Sequence, residues 1–291
     1  MTTAAKSLGG KTVVVTGANA GIGKETAVAL AAMGARVVMV ARDEAKGRAA
    51  LADVRARAKS DAVELYFADF ASLASTRAFA AKLTAEHDRL DVLVNNAGLL
   101  LPSRSLTEDG FESMFGINHL GYFLTTHLLL PLLAKSGRAR IVNVASAAHK
   151  GARLDFDDLQ SEKSFSPFGA YGRSKLCNIL FTYELAERLA GRGVTANCLH
   201  PGVVATDFGQ KKPGLINFLV KLGKPFLLSA DDGAATQVFL ASSPEVEGVS
   251  SKYWDKKKPI ASSVASRDVA TRKRLWDVSE KLCGITRYGE P

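Results

Sequence analysis

Cysteine is scarce in this chain. Its 291 residues include three, Cys177, Cys198 and Cys283, which are odd in number, scattered and without metal-type spacing. A disulfide framework is therefore excluded, a reducing compartment such as the cytoplasm is expected, and no metal site is assigned. Long hydrophobic runs are missing too. The longest stretch free of Lys, Arg, Asp and Glu covers residues 113–134, and Asn118, His119, Thr125, Thr126, His127 and Pro131 interrupt it. That pattern suits a buried helix better than a membrane span. Residues 1–11 are polar and lack the apolar core of a signal peptide, so secretion is not expected. No repeat, linker or composition break divides the chain, which points to a single domain over 1–291. Negative charge is in short supply. The net charge of +9 favours anionic partners, phosphorylated cofactors among them. The basic clusters Lys256-Lys257-Lys258 and Arg272-Lys273-Arg274 stand without zinc-finger spacing or an aromatic RNA-binding signature, so nucleic acid is not an expected partner.

What is present is an alternation of short apolar runs and helical patterns. Strands are expected over 12–15, 36–40, 63–68, 91–94, 140–144 and 194–199, and helices over 45–59, 73–87, 111–133 and 170–190. The strands are nearly continuously apolar rather than alternating, as they are when helices cover both faces of a parallel sheet. The fold class that follows is α/β: a single Rossmann-type doubly wound parallel sheet with helices on both faces. Residues 149–168, 201–230 and the tail after Gly284 look irregular, and connections this long in a compact domain are usually functional.

Ligands of such sheets bind beyond the C-terminal ends of the strands, where Gly17, Asn96, Ser146 and Pro201 all fall. In the turn Gly17-Ala18-Asn19-Ala20-Gly21-Ile22-Gly23, three glycines let the backbone bend, approach a pyrophosphate and open a helix whose N-terminal amides attract anions. The second strand ends at Arg42, where an acidic group would bind a ribose 2′-hydroxyl and a guanidinium suits a 2′-phosphate. This favours NADP(H) over NAD(H), although Asp43 stands beside it. Tyr171 and Lys175 share one helix face and can act on one substrate atom.

With the glycine turn, Asn95-Asn96-Ala97-Gly98 and the Tyr171/Lys175 pair together, the chain resembles the short-chain dehydrogenase/reductase family over roughly residues 11–252. The resemblance implies a catalytic tetrad of Asn118, Ser146, Tyr171 and Lys175. Ser146 closes Ile141-Val142-Asn143-Val144-Ala145-Ser146, with Ala145 where many relatives carry another Ser. A phenol titrating near 10 is a weak base at neutral pH, so Lys175 and the oxidised nicotinamide would favour tyrosinate while Ser146 donates to the same substrate oxygen. Asn118 resembles the residue that holds a water chain to the lysine. The resemblance also assigns cofactor contacts to Asn19, Ala20, Ile22, Asp69, Phe70, Asn96, Ala97, Gly98, Tyr171 and Lys175, and to Pro201, Gly202, Val204 and Thr206 around the carboxamide. For Asp69 a helix N-cap role competes, since Ser72 and a helix follow closely.

The segments Phe156-Asp157-Asp158-Leu159, Ser174-Lys175-Leu176-Cys177-Asn178 and Ser243-Pro244-Glu245 look like the retinol dehydrogenase-like branch. That implies a hydrophobic carbonyl or alcohol substrate: retinal-like, a lipid aldehyde or a steroid ketone. The membrane-bound members' N-terminal apolar anchor has no counterpart here. Residues 207–230 are expected to form an apolar substrate lid with transient membrane contact, with a permanently packed helix as the alternative. A C-terminal extension follows residue 255. Alternatives to carbonyl reduction are a carbon–carbon double-bond reductase of the protochlorophyllide reductase type and a non-catalytic NADP(H)-binding sensor. Relatives are commonly oligomers built on the helices carrying the active site, so a homo-oligomer is one expected state.

Overall fold

A computed structural model describes residues 7–202 and 229–290. Val204, Thr206 and nearly all of the expected lid lie outside the described residues. Six strands fall where the apolar runs predict them: β1 (Thr12–Thr16), β2 (Arg36–Ala41), β3 (Val63–Phe67), β4 (Val92–Asn95), β5 (Ala139–Val144) and β6 (Val194–His200). Two more, β7 (Tyr253–Asp255) and β8 (Lys258–Ile260), extend the sheet to the order β3-β2-β1-β4-β5-β6-β7-β8. All neighbours are parallel except β7 and β8. The order reverses beside β1, which pairs with β2 on one side and β4 on the other, and such a switch point opens a crevice at the C-terminal strand ends.

The helices α1 (Gly21–Ala32), α2 (Glu44–Ala58) and α7 (Ala230–Ser242) cover one face of the sheet; Leu30, Val54 and Leu240 pack there on Val13, Val37 and Val94. On the other face α3 (Leu73–Glu86), α5 (Gly121–Ser136), α6 (Pro167–Arg188) and α8 (Val269–Cys283) bury Phe79, Phe123, Leu180 and Trp276 against Leu93 and Ile141. Among the described residues no helix is long and apolar enough to cross a membrane.

Two helices differ from the sequence expectation in ways that matter at the site. The helix expected over 111–133 is built from α4 (Ser113–Phe115), a π-helical stretch Gly116–Leu120 and α5, and π-bulges of this kind recur at functional sites. It ends at Ser136, before Gly137 in the left-handed region at φ 71°. α6 begins three residues earlier than expected. Ser166 is its N-cap, with Oγ accepting from Gly169 N at 3.1 Å, and Pro167 takes the first turn, where its missing N–H costs nothing. Tyr171 therefore sits inside a formed helix rather than at a fraying end.

Candidate active site

The turn after β1 is held from three sides. Ala18 N donates to Val40 O at 3.1 Å, and Thr16 Oγ1 accepts from Asn96 N at 2.9 Å and Ala97 N at 3.0 Å. Asn96 Nδ2 donates to Thr16 O at 2.9 Å, and its Oδ1 accepts from Gln237 Nε2 of α7 at 3.2 Å. The Asn96 side chain thus fastens the turn to the end of β4, while Ala97 and Gly98 continue along the crevice. Gly17 has φ 66°, and a Cβ there would lie 2.9 Å from Ala97 Cα; a Cβ on Gly23 would lie 2.4 Å from both Asn96 Nδ2 and Gly17 O. Only glycine fits at either position.

An anion would be received here. Asp43, Ser72, Ser166, Ser229 and Asp268 cap α2, α3, α6, α7 and α8 by accepting from the first turn, whereas Ala20 offers α1 no side-chain acceptor and no acidic residue stands in its first turn. Asn19, Ala20, Gly21 and Ile22 therefore open a helix whose amide end is left for a phosphate group. Arg42 is exposed at the end of β2 and forms no ion pair among the described residues. Its acidic neighbour Asp43 is occupied, accepting from Lys46 N at 2.9 Å. These residues fit a nicotinamide dinucleotide. Asp69 is not the cap of α3: Ser72 is, accepting from Ser75 N at 3.3 Å, while Asp69 Oδ1 accepts from Ala71 N at 2.9 Å. Phe70 packs against Gly121. Pro201 and Gly202 follow β6 on the same rim, half-buried, with Gly202 at φ 85°.

The four tetrad positions come together beside this turn. The Ser146 side chain acts on the Tyr171 phenol. Burial pushes the Tyr171 phenol above its ordinary value, and the Ser146 hydroxyl draws it partly back down. Lys175 Nζ is buried, donates to Val144 O at 2.9 Å and lies 5.7 Å from the Tyr171 ring centre. Burial lowers its pKa to about 7. Asn118, fully buried in the π-helical stretch, accepts from Leu99 N at 2.8 Å and donates to Leu99 O at 2.9 Å and Ser174 Oγ at 3.0 Å. Its side chain clamps the loop after β4 instead of bonding to Lys175. A Cβ on Gly98 would meet Asn118 Oδ1 at 3.2 Å and Lys175 Nζ at 3.4 Å, so the two polar ends flank one gap.

Residues 11–214 match the family model described as short chain dehydrogenase. The chain belongs to the short-chain dehydrogenase family. Retinol dehydrogenase 12 of Mus musculus is 46% identical over 276 residues, which are 95% of this chain and 87% of that protein. The crystal structure of a putative uncharacterized protein from Mycobacterium paratuberculosis superposes with a TM-score of 0.78 at 36% identity, over 95% of this chain and 94% of that one. A putative NAD(P)-dependent gluconate 5-dehydrogenase from Beutenbergia cavernae, solved with bound NADP, gives 0.70 at 27% identity over 87% and 97% of the two chains. The chain is thus a retinol dehydrogenase-like member of the family, an oxidoreductase acting on CH–OH and C=O groups by hydride transfer.

Three residues at the short-chain dehydrogenase site escape sequence reasoning. The Tyr122 ring lies 5.6 Å from Lys175 Nζ, and its buried hydroxyl has no partner among the described residues. In sequence it reads as one more apolar position of a buried helix. His149 and His200 bracket the peptide groups after Ser146, and only their placement next to Ser146 and at the end of β6 hints at that.

Proposed function

We propose that this short-chain dehydrogenase reduces a hydrophobic carbonyl, such as a retinal-like or lipid aldehyde or a steroid ketone, with NADPH in preference to NADH, and that it works in the cytoplasm. The observation that carries the reading is the meeting of Tyr171, Ser146 and Lys175 beside an uncapped helix N-terminus at the switch point of the sheet. NADPH bound there would supply the hydride. The Tyr171 hydroxyl gives its proton to the substrate oxygen, and the Ser146 hydroxyl donates to the same atom and fixes it in place. Lys175, with a pKa about 7, holds and returns a proton near neutrality and, when charged, stabilises the phenolate left on Tyr171. The Arg42 guanidinium, without an ion pair among the described residues, supports the 2′-phosphate preference, since Asp43 beside it is engaged in capping α2.

An apolar substrate is supported by the half-exposed run Leu99, Leu100 and Leu101 next to Asn118, and by Phe168, 64% exposed one turn before Tyr171 on the same helix. The relatives' retinol dehydrogenase names support the same class. The test follows NADPH and NADH oxidation by wild type and Tyr171→Phe against all-trans-retinal, medium-chain aldehydes and steroid ketones. Expected are faster turnover with NADPH and a loss of roughly a hundredfold or more in the variant. A product reduced at a carbon–carbon bond would favour the double-bond reductase, and full activity of Tyr171→Phe would overturn the mechanism.

A further inference from the structure

The peptide groups around Ser146 are pinned one after another. Val144 O accepts from Lys175 Nζ at 2.9 Å and Asn178 Nδ2 at 3.3 Å, and Ala145 N donates to Leu199 O at 2.8 Å. Ala147 N donates to His200 Nδ1 at 3.2 Å. The carbonyl of Ser146 goes to His149, whose Nδ1 lies 2.7 Å away and whose own main-chain N–H donates to it at 3.2 Å. On the far side of the same ring, Nε2 lies 3.1 Å from the main-chain N–H of Ser263 and accepts from it. A ring nitrogen accepting from an amide carries no proton. His149 is therefore the neutral tautomer with its single proton on Nδ1, directed at Ser146 O, and a backbone donor enforces that tautomer.

The segment on the far side is itself anchored. Ser266 Oγ bonds to Ser263 O at 2.7 Å and to Ser262 Oγ at 2.7 Å, and Ser262 Oγ meets Tyr183 Oη of α6 at 2.8 Å. α6 also carries Tyr171 and Lys175. The residues after β8 thus touch both halves of the reacting pair: α6 directly, and Ser146 through one buried imidazole.

We propose that His149 is a positioning residue, bridging the Ser146 carbonyl to the Ser263 backbone so that the Ser146 hydroxyl stays in register with Tyr171. The role rests on the reading of Tyr171 as proton donor. His149 touches neither substrate nor cofactor and acts through Ser146. Among the described residues its ring stands edge-on to Tyr253 at 5.0 Å, with His200 and Lys150 as further titratable neighbours, and Lys175 and Tyr122 are among those that face Tyr171. Burial, the largest effect, and the charge of Lys150 lower the His149 pKa against the opposing effect of its bond to Ser146 O, in keeping with the neutral tautomer that the Ser263 N–H requires.

Two variants separate the two sides of the ring. His149→Asn retains a donor near the Nδ1 position and drops the Ser263 contact. His149→Gln reaches the Nε2 position and drops the side-chain donor to Ser146 O, which keeps only the main-chain N–H of residue 149. For retinal reduction with NADPH, His149→Gln is expected to lose roughly ten- to hundredfold in kcat with an unchanged KM for NADPH, and to move the alkaline limb of the pH profile upward. That limb moves because a displaced Ser146 hydroxyl lowers the Tyr171 pKa less. His149→Asn, which keeps the Ser146 donor but loses the anchor at Ser263, is expected to fall between His149→Gln and wild type in both. Equal behaviour of the two variants, or a kcat loss with an unmoved limb, would overturn the proposal. If wild type reduces none of retinal, medium-chain aldehydes and steroid ketones, the enzymatic reading fails separately, and tyrosinate absorbance replaces the rate. It is titrated in each protein and corrected by its Tyr171→Phe counterpart. A higher Tyr171 midpoint in His149→Gln than in wild type sustains the positioning role, and an unchanged midpoint overturns it.

Discussion

Lys175 is held in a state the unfolded chain does not share. Its pKa falls from 10.5 to about 7 because burial penalises the ammonium. Between those values the unfolded chain binds more protons than the folded one, so stability rises with pH across that window, and the full penalty applies below pH 7. At neutral pH this amounts to a destabilisation on the order of 4 kcal/mol for a side chain that is 3% exposed. Lys175→Met keeps the length of the stem and removes the charge, while Asn178 Nδ2 still donates to Val144 O. The variant is expected to be inactive and yet to melt several degrees higher at pH 7, with the gain shrinking as the pH approaches 10. Thermal scans over that range check the prediction. A variant that melts lower at pH 7 would mean that the bond to Val144 O outweighs the cost of the buried charge.

At the scale of elements, the pieces carrying the site are tied by a buried polar chain. Asn95 Nδ2 of β4 donates to Asn143 Oδ1 of β5 at 2.9 Å and to Thr126 Oγ1 of α5 at 3.0 Å, and Asn143 Nδ2 donates to Thr182 Oγ1 of α6 at 2.9 Å. All four residues are fully buried. Asn143→Ala removes one bond from Asn95 Nδ2, which keeps Thr126, and one from Thr182 Oγ1, which still donates to Asn178 O at 2.6 Å, so a loss of about 1–3 kcal/mol in urea unfolding is expected. A loss below about 1 kcal/mol would mean that water or a side-chain shift re-satisfies the pair. Nothing in the sequence separates this asparagine from an ordinary strand residue. The six central strands were legible because β-branched runs buried on both faces leave an unbroken apolar signal. β7 and β8 were not, at three residues each. The start of α6 was obscured by Pro167, which reads as loop unless Ser166 is recognised as its cap. The π-helical stretch around Asn118 leaves no periodic trace, since one slipped hydrogen bond hardly changes which residues are apolar. Tyr171, Lys175 and the glycine turn were legible because their spacing is itself the chemistry, whereas His149 acts through a carbonyl 2.7 Å away that only folding brings to it.

For the molecule as a whole, the segment after residue 255 decides which surfaces remain free. Its helix α8 is polar on one side and inserts Trp276 between α5 and α6, edge-on to Phe123 at 5.0 Å and tilted over Phe181 at 6.0 Å. Arg272 pairs with the buried Glu184 of α6 at 3.0 Å, and His119 Nε2 meets Ser279 Oγ at 2.9 Å. Beyond α8, Tyr288 Oη donates to Phe123 O at 2.9 Å. An assembly built on the helices carrying the active site, the arrangement suggested by the family resemblance, needs the faces of α5 and α6 that α8 and Tyr288 already cover. Displacing them would expose Trp276 and Phe123, side chains worth about 1.5–3 kcal/mol each in burial, before any partner contact formed. Purified protein at micromolar concentration is therefore expected to scatter light as a 31.0 kDa particle. Trp276→Ala, which opens that face, is expected to lower the melting temperature and promote association. A stable wild-type dimer that persists in Trp276→Ala would show that the subunits meet on another surface and that the covering role of α8 does not govern assembly.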